Sequence, residues 1–262
     1  MGKTVFLNAI SFSGAGVESW DALAARIAKG DATLDSDWQA APKCLAPRQA
    51  RRLSPQIRLA VMAAEDIGPA LGDGAAWVFA SSVGEGETLN TILEALCSDE
   101  MMIQPLRFQN AVHNAASGQW TIAAKQTGPC TSIAAYDETV GAGWLKAMLQ
   151  VVLEGCEVGL VCFDAPIPVP LHEKRPFAAA LAAGFALAPS RSEATVARVE
   201  VETGGGQPSI PQSAIGKAMA ETGNPVAAVL PILECLVAGQ GGAVALALSG
   251  GSVLRLTVAP PA

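Results

Sequence analysis

Apolar residues along this chain follow two rhythms, and the rhythm switches several times. Ile57, Leu59, Ala60, Val61, Ala63, Ala64 and Ile67 keep the three-and-four spacing of one buried helix face. Ser54-Pro55 opens that helix and Gly72 closes it, which predicts a helix over residues 54–71. A helix over residues 19–29 is predicted by Ser19 as N-cap and Gly30 as stop. Short β-branched or wholly apolar runs predict strands at residues 4–10, 77–81 and 158–164. Residues 11–16 read as a loop and 31–42 as polar and irregular. Gly84-Glu85-Gly86 reads as a tight loop ahead of a helix at 87–96.

The middle of the chain, residues 110–148, has a denser pattern. A helix carrying Ala115, Ala116, Gly118, Ala123 and Ala124 leads to a turn at Gly128-Pro129. A short apolar strand follows at 131–136, and a second helix rich in Gly and Ala starts at Asp137. A strand that ends at a helix start places the junction residue on the positive end of the helix dipole, among N–H groups without partners. Catalytic thiols are often built in that setting, because it lowers their pKa. Beyond the strand at 158–164, Pro166, Pro168 and Pro170 form a stiff connector. Strands are predicted at 178–187 and 195–201, as a hairpin or as neighbours, and residues 202–212 as an exposed Gly/Pro loop. Helices at 214–222 and 227–238 precede a closing hairpin, 243–248 with 253–258. Strands alternating with helices early and hairpins late predict an α/β fold with a mixed sheet.

Composition narrows the function. The chain has 262 residues, enough for one large domain or two small ones. Half of them are hydrophobic and only 16% are charged, so a sizeable buried interface is expected. A net charge of −7 argues against nucleic acid as partner. An acidic partner would need a local basic patch. Arg48, Arg51 and Arg52 offer one and Lys174 with Arg175 another, and the plain reading of both is solvated surface. The six cysteines have no CxxC pairing, and Cys162 lies inside an apolar run, which predicts buried free thiols in a reducing cytoplasm rather than disulfides or a metal site. Residues 1–10 are too short an apolar run for a signal sequence, and no stretch has the length of a membrane span.

The Gly-Pro turn, strand and small-residue helix resemble those of the β-ketoacyl synthases of the thiolase superfamily. In that family the turn leads into a strand that ends at the nucleophilic cysteine. Counted from Gly128-Pro129, the residue in that place is Asp137. A carboxylate is a poor acyl acceptor from a thioester, so the resemblance implies a ketosynthase-like chain that has lost its nucleophile. In this the chain is similar to the chain length factor type, the non-catalytic partner of a ketosynthase, of the short kind associated with aryl polyene pigment clusters. The opening strand, the strand with Val78-Phe79-Ala80-Ser81 and the Gly84-x-Gly86 loop extend the resemblance. It implies a single thiolase-like domain over residues 1–262, with residues 1–187 as the first half and 188–262 as a shortened second half. The family also uses two histidines, in His-Gly-Thr and Gly-His segments, to polarise a thioester carbonyl. The two histidines here, His113 and His172, stand in neither context, and Asn224 of Gly223-Asn224-Pro225 takes the place of the second.

The resemblance further implies an acyl-chain tunnel at a subunit interface, lined by Phe108, Ala111, Val112, His113, Ala115 and Ala116, with Asp137 nearby. The absence of aromatics from residues 111–116 leaves room for a long product. The implied partners are an active ketosynthase, as a heterodimer, and an acyl carrier protein bearing the growing polyketide- or fatty-acid-like chain. No cofactor and no metal are implied. Plainer or different roles stand beside this. Asp137 serves equally as a helix N-cap for Thr139 or Val140, and His113 as an ordinary helix histidine. Cys130 in the turn is the candidate nucleophile, or Asp137 the base, of a stand-alone acyltransferase or thioesterase-like enzyme. A homodimeric scaffold is a third reading. Gly14-x-Gly16 lacks the third glycine of a dinucleotide loop, since Ser19 stands there.

Overall fold

The computed structural model describes residues 3–99, 102–103 and 105–261. In chain order the elements are β1 (Lys3–Gly14), α1 (Trp20–Lys29), α2 (Pro47–Ala50), α3 (Pro55–Ile67), β2 (Ala76–Ala80), α4 (Gly86–Leu96), α5 (Pro105–Asn110), α6 (Ala115–Ala124) and β3 (Cys130–Ile133). They continue with α7 (Thr139–Glu154), β4 (Val158–Asp164), β5 (Leu181–Ala188), β6 (Ala197–Gly205), α8 (Ala214–Glu221), α9 (Leu230–Ala238), β7 (Gly242–Leu248) and β8 (Ser252–Ala259). All the strands join one eight-stranded mixed sheet in the order β3-β2-β4-β5-β1-β6-β8-β7. β2 runs parallel to both β3 and β4, and every other pairing is antiparallel. The α/β fold with a mixed sheet is as the pattern predicts.

The local signals act as read. Ser19 Oγ accepts from Ala22 N–H, and left-handed Gly30 ends α1. Ser54 Oγ accepts from Ile57 N–H at 3.1 Å, with Pro55 in the first turn of α3. The differences come from long-range pairing. β1 runs through residues 11–14, read as loop, because Ser11 and Ser13 pair with Gly184 and Ala182 of β5. β6 likewise extends to Gly205 along β8. β5 and β6 are not a hairpin, since β1 lies between them. The strand expected at 131–136 ends at Ile133, and Cys130 opens it rather than lying in the turn. α5 has no counterpart in the sequence reading, and residues 111–114 form turns, so the helix begins at Ala115.

Two cores flank the sheet. Trp77 and Phe79 of β2, with Val161 and Phe163 of β4, face α3 and α6. Ala76, Val78 and Ala80, with Leu160 and Cys162, face α7. Trp77 and Trp144 are fully buried, one in each core, and each contributes about 1.5–3 kcal/mol or more from apolar burial. α7 also touches β7, so it lies between the two ends of a curled sheet. Glycine makes both approaches possible: a Cβ on Gly143 would press on Ala80, and one on Gly141 would strike the Ala247 carbonyl of β7. Six of the strands form two similar sets, β4-β5-β1 and β7-β8-β6, joined by the antiparallel β1–β6 pair. In each set a helix, α7 or α9, directly precedes the antiparallel pair.

Of the cysteines only Cys162 is buried; Cys44, Cys97 and Cys130 are exposed, against expectation, and Cys156 and Cys235 are intermediate. Among the described residues no helix is long and apolar enough to cross a membrane.

Candidate functional site

The junction ahead of α7 is a 3-10 turn, Tyr136–Glu138. Tyr136 takes a left-handed φ of 53°, a conformation that costs a non-glycine residue about 1–3 kcal/mol. Its neighbours hold it there. Thr139 Oγ1 accepts from Ala135 N–H at 2.9 Å and donates to the Tyr136 carbonyl at 2.7 Å. The Arg175 guanidinium lies 3.7 Å from the Tyr136 ring centroid.

Asp137 is not the N-cap, because its side chain accepts no helix N–H. Its Oδ1 accepts instead from Arg175 Nη1 at 2.7 Å. Arg175 Nη2 donates to Ser82 Oγ at 3.1 Å. Arg175 is therefore not the solvated surface cation its position beside Lys174 suggests: its side chain is 13% exposed, while that of Asp137 is 65% exposed.

Below the junction lies a buried polar cluster that the sequence reading missed. The Asp164 carboxylate, at the end of β4, accepts from Ser81 Oγ at 2.7 Å and from Ser82 N–H at 3.0 Å. Gln56 Nε2 donates to Ser81 Oγ at 2.9 Å and to Asp164 at 3.3 Å, and Gln56 Oε1 accepts from Ala165 N–H at 2.6 Å. Burial pushes the Asp164 carboxyl above its ordinary range, although these bonds oppose the shift. Glu85 is raised in the same way by burial, against bonds from Ser54 and Thr88. The sequence signal was a polar residue closing a wholly buried strand, which is rarely idle.

Asn224 joins this cluster from the second set of strands. It is 2% exposed, and its Nδ2 donates to the carbonyls of Asp164 at 2.8 Å and Ala179 at 3.0 Å. Its Oδ1 accepts from Val226 N–H at 3.0 Å, capping the turn Pro225–Val229 that leads into α9. Both nitrogen hydrogens and the oxygen are thus spent on the fold. His113 donates from Nε2 to the Ser81 carbonyl at 3.0 Å; His172 sits apart, in the turn Leu171–Glu173.

Cys130 opens β3 at the sheet edge. Desolvation pushes its thiol up, with only partial relief from Ser117, so the sulfur is protonated near neutral pH. Among the described residues no cluster of three or more His, Cys, Asp or Glu converges to hold a metal ion.

The expected tunnel residues divide in two. Phe108 is 64% exposed and Val112 48%, whereas Ala115 and Ala116 are buried in the core shared by α3 and α6. Ala111 is half-buried.

The family follows from a match over residues 20–252 to the model described as beta-ketoacyl synthase, N-terminal domain. The chain belongs to that family. No curated protein matches the sequence. Among solved structures, the complex of a ketosynthase (ApeO) with its chain length factor (ApeC) from Xenorhabdus doucetiae matches with TM-score 0.75 at 22% identity, over 97% of this chain and 99% of that one. The ishigamide ketosynthase/chain length factor matches with TM-score 0.71 at 14% identity, over 99% and 100% of the two chains. A β-ketoacyl synthase from Burkholderia phymatum STM815 matches with TM-score 0.70 at 12% identity, over 99% and 100%. At these identities the likeness establishes the fold, which is the thiolase-like layered arrangement.

Among the described residues of this β-ketoacyl synthase-like chain, one sheet edge is capped and the other is left unpaired. At the β7 edge, Ser209 N–H donates to the Ala245 carbonyl at 2.8 Å, and Ala245 N–H donates to Ser209 Oγ at 3.0 Å. At the β3 edge, Trp77 N–H donates to the Pro129 carbonyl and Ser81 N–H to the Ile133 carbonyl. By the two-residue alternation of a strand, the backbone groups of Cys130 and Ser132 then point away from β2. The two helices that touch this strand carry exposed apolar side chains: Ile122 on α6, 69% exposed, and Leu149 and Leu153 on α7.

Proposed function

We propose that this chain is the non-catalytic, chain length factor-like partner of an active β-ketoacyl-ACP synthase, and that it shapes the tunnel for an elongating acyl chain. The observation that carries the reading is the Asp137–Arg175 ion pair at the strand-to-helix junction, the place where the family resemblance expects a nucleophilic thiol. Neither the paired carboxylate nor the fully bonded Asn224 side chain offers the chemistry of a cysteine or a histidine. The chain is read as one ketosynthase-like domain whose second half, after residue 187, keeps fewer strands than the first.

The partner would dock on the open β3 edge, where a second strand satisfies the outward backbone groups and covers Ile122, Leu149 and Leu153. Phe108, Val112 and His113, with the half-buried Ala111, would face the tunnel from this chain. The exposed Arg48, Arg51 and Arg52 offer an acidic carrier protein its contact. The named complexes of ketosynthase with chain length factor support this assignment by fold.

The test is Ser132→Pro. Proline removes an N–H that points outward and leaves the β2 ladder bonds in place. Wild-type chain co-purified with a ketosynthase from its own source organism is expected to elute as a heterodimer, and the proline variant as separate subunits with an unchanged circular dichroism spectrum. Undiminished pairing by a folded Ser132→Pro chain would place the interface elsewhere.

A further inference from the structure

Ser81 and Ser82, at the end of β2, are fixed from beneath and pulled from two sides. From beneath, the buried Asp164 carboxylate takes Ser81 Oγ at 2.7 Å and Ser82 N–H at 3.0 Å, and Gln56 braces both Asp164 and Ser81. On one side His113 Nε2 donates to the Ser81 carbonyl at 3.0 Å. Its ring lies so close to Gly84, at φ 59°, that a Cβ there would stand 3.0 Å from His113 Cδ2. On the other side Ser82 Oγ accepts from Arg175 Nη2 at 3.1 Å, and Nη1 of the same guanidinium holds Asp137 at 2.7 Å.

We infer that Asp137 is a positioning residue: through Arg175 and the serine pair it sets the turn at residues 111–114 that carries Val112. The physical reason lies in Arg175. Its guanidinium is wedged between Tyr136 at 3.7 Å and Phe177 at 4.9 Å, and its Nε is buried with no hydrogen-bond partner among the described residues. A largely buried cation keeps that place only while an anion neutralises it. When the Asp137 charge is removed, the guanidinium gains more from water than from the wedge and swings out. Ser82 then loses one of its ties, and the loosened serine pair frees His113. A planar, forked guanidinium can bridge a carboxylate and a hydroxyl at once; a lysine ammonium on a thinner stem cannot reproduce the stack. The residue in the place of a lost nucleophile thus acquires a task that needs a negative charge. The effect on product length rests on the tunnel reading above; the mechanical coupling does not.

Hydrogen exchange on the isolated chain tests the coupling, because sites linked only by packing order respond together when the link is cut. Asp137→Asn is expected to speed exchange severalfold in peptides covering residues 81–86 and 111–117, and to leave the β7–β8 hairpin unchanged. Arg175→Lys should reproduce that pattern if Asp137→Asn folds poorly. His113→Ala should speed residues 111–117 by itself, and adding Asp137→Asn should speed them no further. Exchange changes confined to residues 135–140, or strict additivity of the two substitutions, would overturn the inference. In the reconstituted pair, Asp137→Asn should broaden the product-length distribution, with Val112→Trp as the control for the tunnel. If Val112→Trp shifts the lengths and Asp137→Asn does not, the inference fails while the tunnel stands. If neither shifts them but exchange at residues 111–117 responds to Asp137→Asn, the tunnel reading fails and the coupling survives.

Discussion

The two sets of strands meet at the β1–β6 pair and share a plan, yet they meet solvent differently. In β4 and β5 of the first set, and in the neighbouring β2, every residue is buried, because α3 and α6 cover one face and α7 the other. In β8, Val253, Leu254, Leu256 and Val258 are buried while Arg255 and Thr257 are exposed, and in β6 Ala197 and Val199 alternate with Arg198 and Glu200. Among the described residues no helical layer covers the outward face of this second set. It carries cross-strand and along-strand charges instead, Arg255 near Glu202 at 3.7 Å and Arg198 near Glu200 at 3.6 Å. These exposed pairs contribute to solubility more than to stability. The lesson is that a shared topology does not impose a shared burial pattern: strands without an outer helix revert to the alternation of a half-solvated sheet.

The largest effect expected from this contrast is at Val161 of β4, under α3. Val161→Asp buries an unpaired charge and is expected to cost more than about 4 kcal/mol, enough to prevent recovery of folded chain. The matching change on the open face, Thr257→Lys of β8, is expected to stay within about 0.5 kcal/mol in urea unfolding. Equal costs at the two sites would break the comparison.

A smaller effect is expected where the two sets touch. Gly141→Ala in α7 places a methyl against the Ala247 carbonyl of β7, and overpacking of this kind costs about 1–3 kcal/mol. Thermal unfolding that moves by less than a degree would show that β7 yields freely, and that the second set is only loosely seated on α7.

Strand and helix placement was legible in the sequence wherever a local signal decided it. Ser19, Gly30, Ser54-Pro55 and the apolar run ending in Asp164 are of that kind. Ser11, Ser13 and Gly14 were not, because polar side chains and a glycine look like loop until β5 arrives 170 residues later to pair with them. The junction at Asp137 could be found from the Gly-Pro, strand and helix order. Its partner could not: Arg175 lies 38 residues away, and nothing local marks which of two adjacent cations turns inward. Gln56 reaches Asp164 across 108 positions, beyond the range of any periodicity.

The buried cluster at that junction gives the smallest effect and a definite sign. The folded chain keeps the Asp164 proton to higher pH than the unfolded chain, whose carboxyl titrates near ~3.9. Between those two pKa values the folded state binds more protons, so this group makes stability fall as pH rises; below both values its contribution is complete. Glu85 acts in the same direction. Relative to wild type, Asp164→Asn should therefore lose this downward slope when urea midpoints are measured from pH 4 upward. An unchanged difference between the two proteins across that range would mean that the Asp164 carboxyl is not perturbed.

The central claim is that this ketosynthase-like chain is a partner and not a catalyst. The direct measurement is condensation of an acyl thioester with malonyl-ACP, followed by mass spectrometry, for three samples: this chain alone, a ketosynthase from its source organism alone, and the two together. No product is expected from this chain alone, and the pair is expected to give full-length product that disappears when the ketosynthase's own nucleophile is blocked with iodoacetamide before mixing. Steady condensation by this chain alone, or product from the pair that survives the blocking, would contradict the claim.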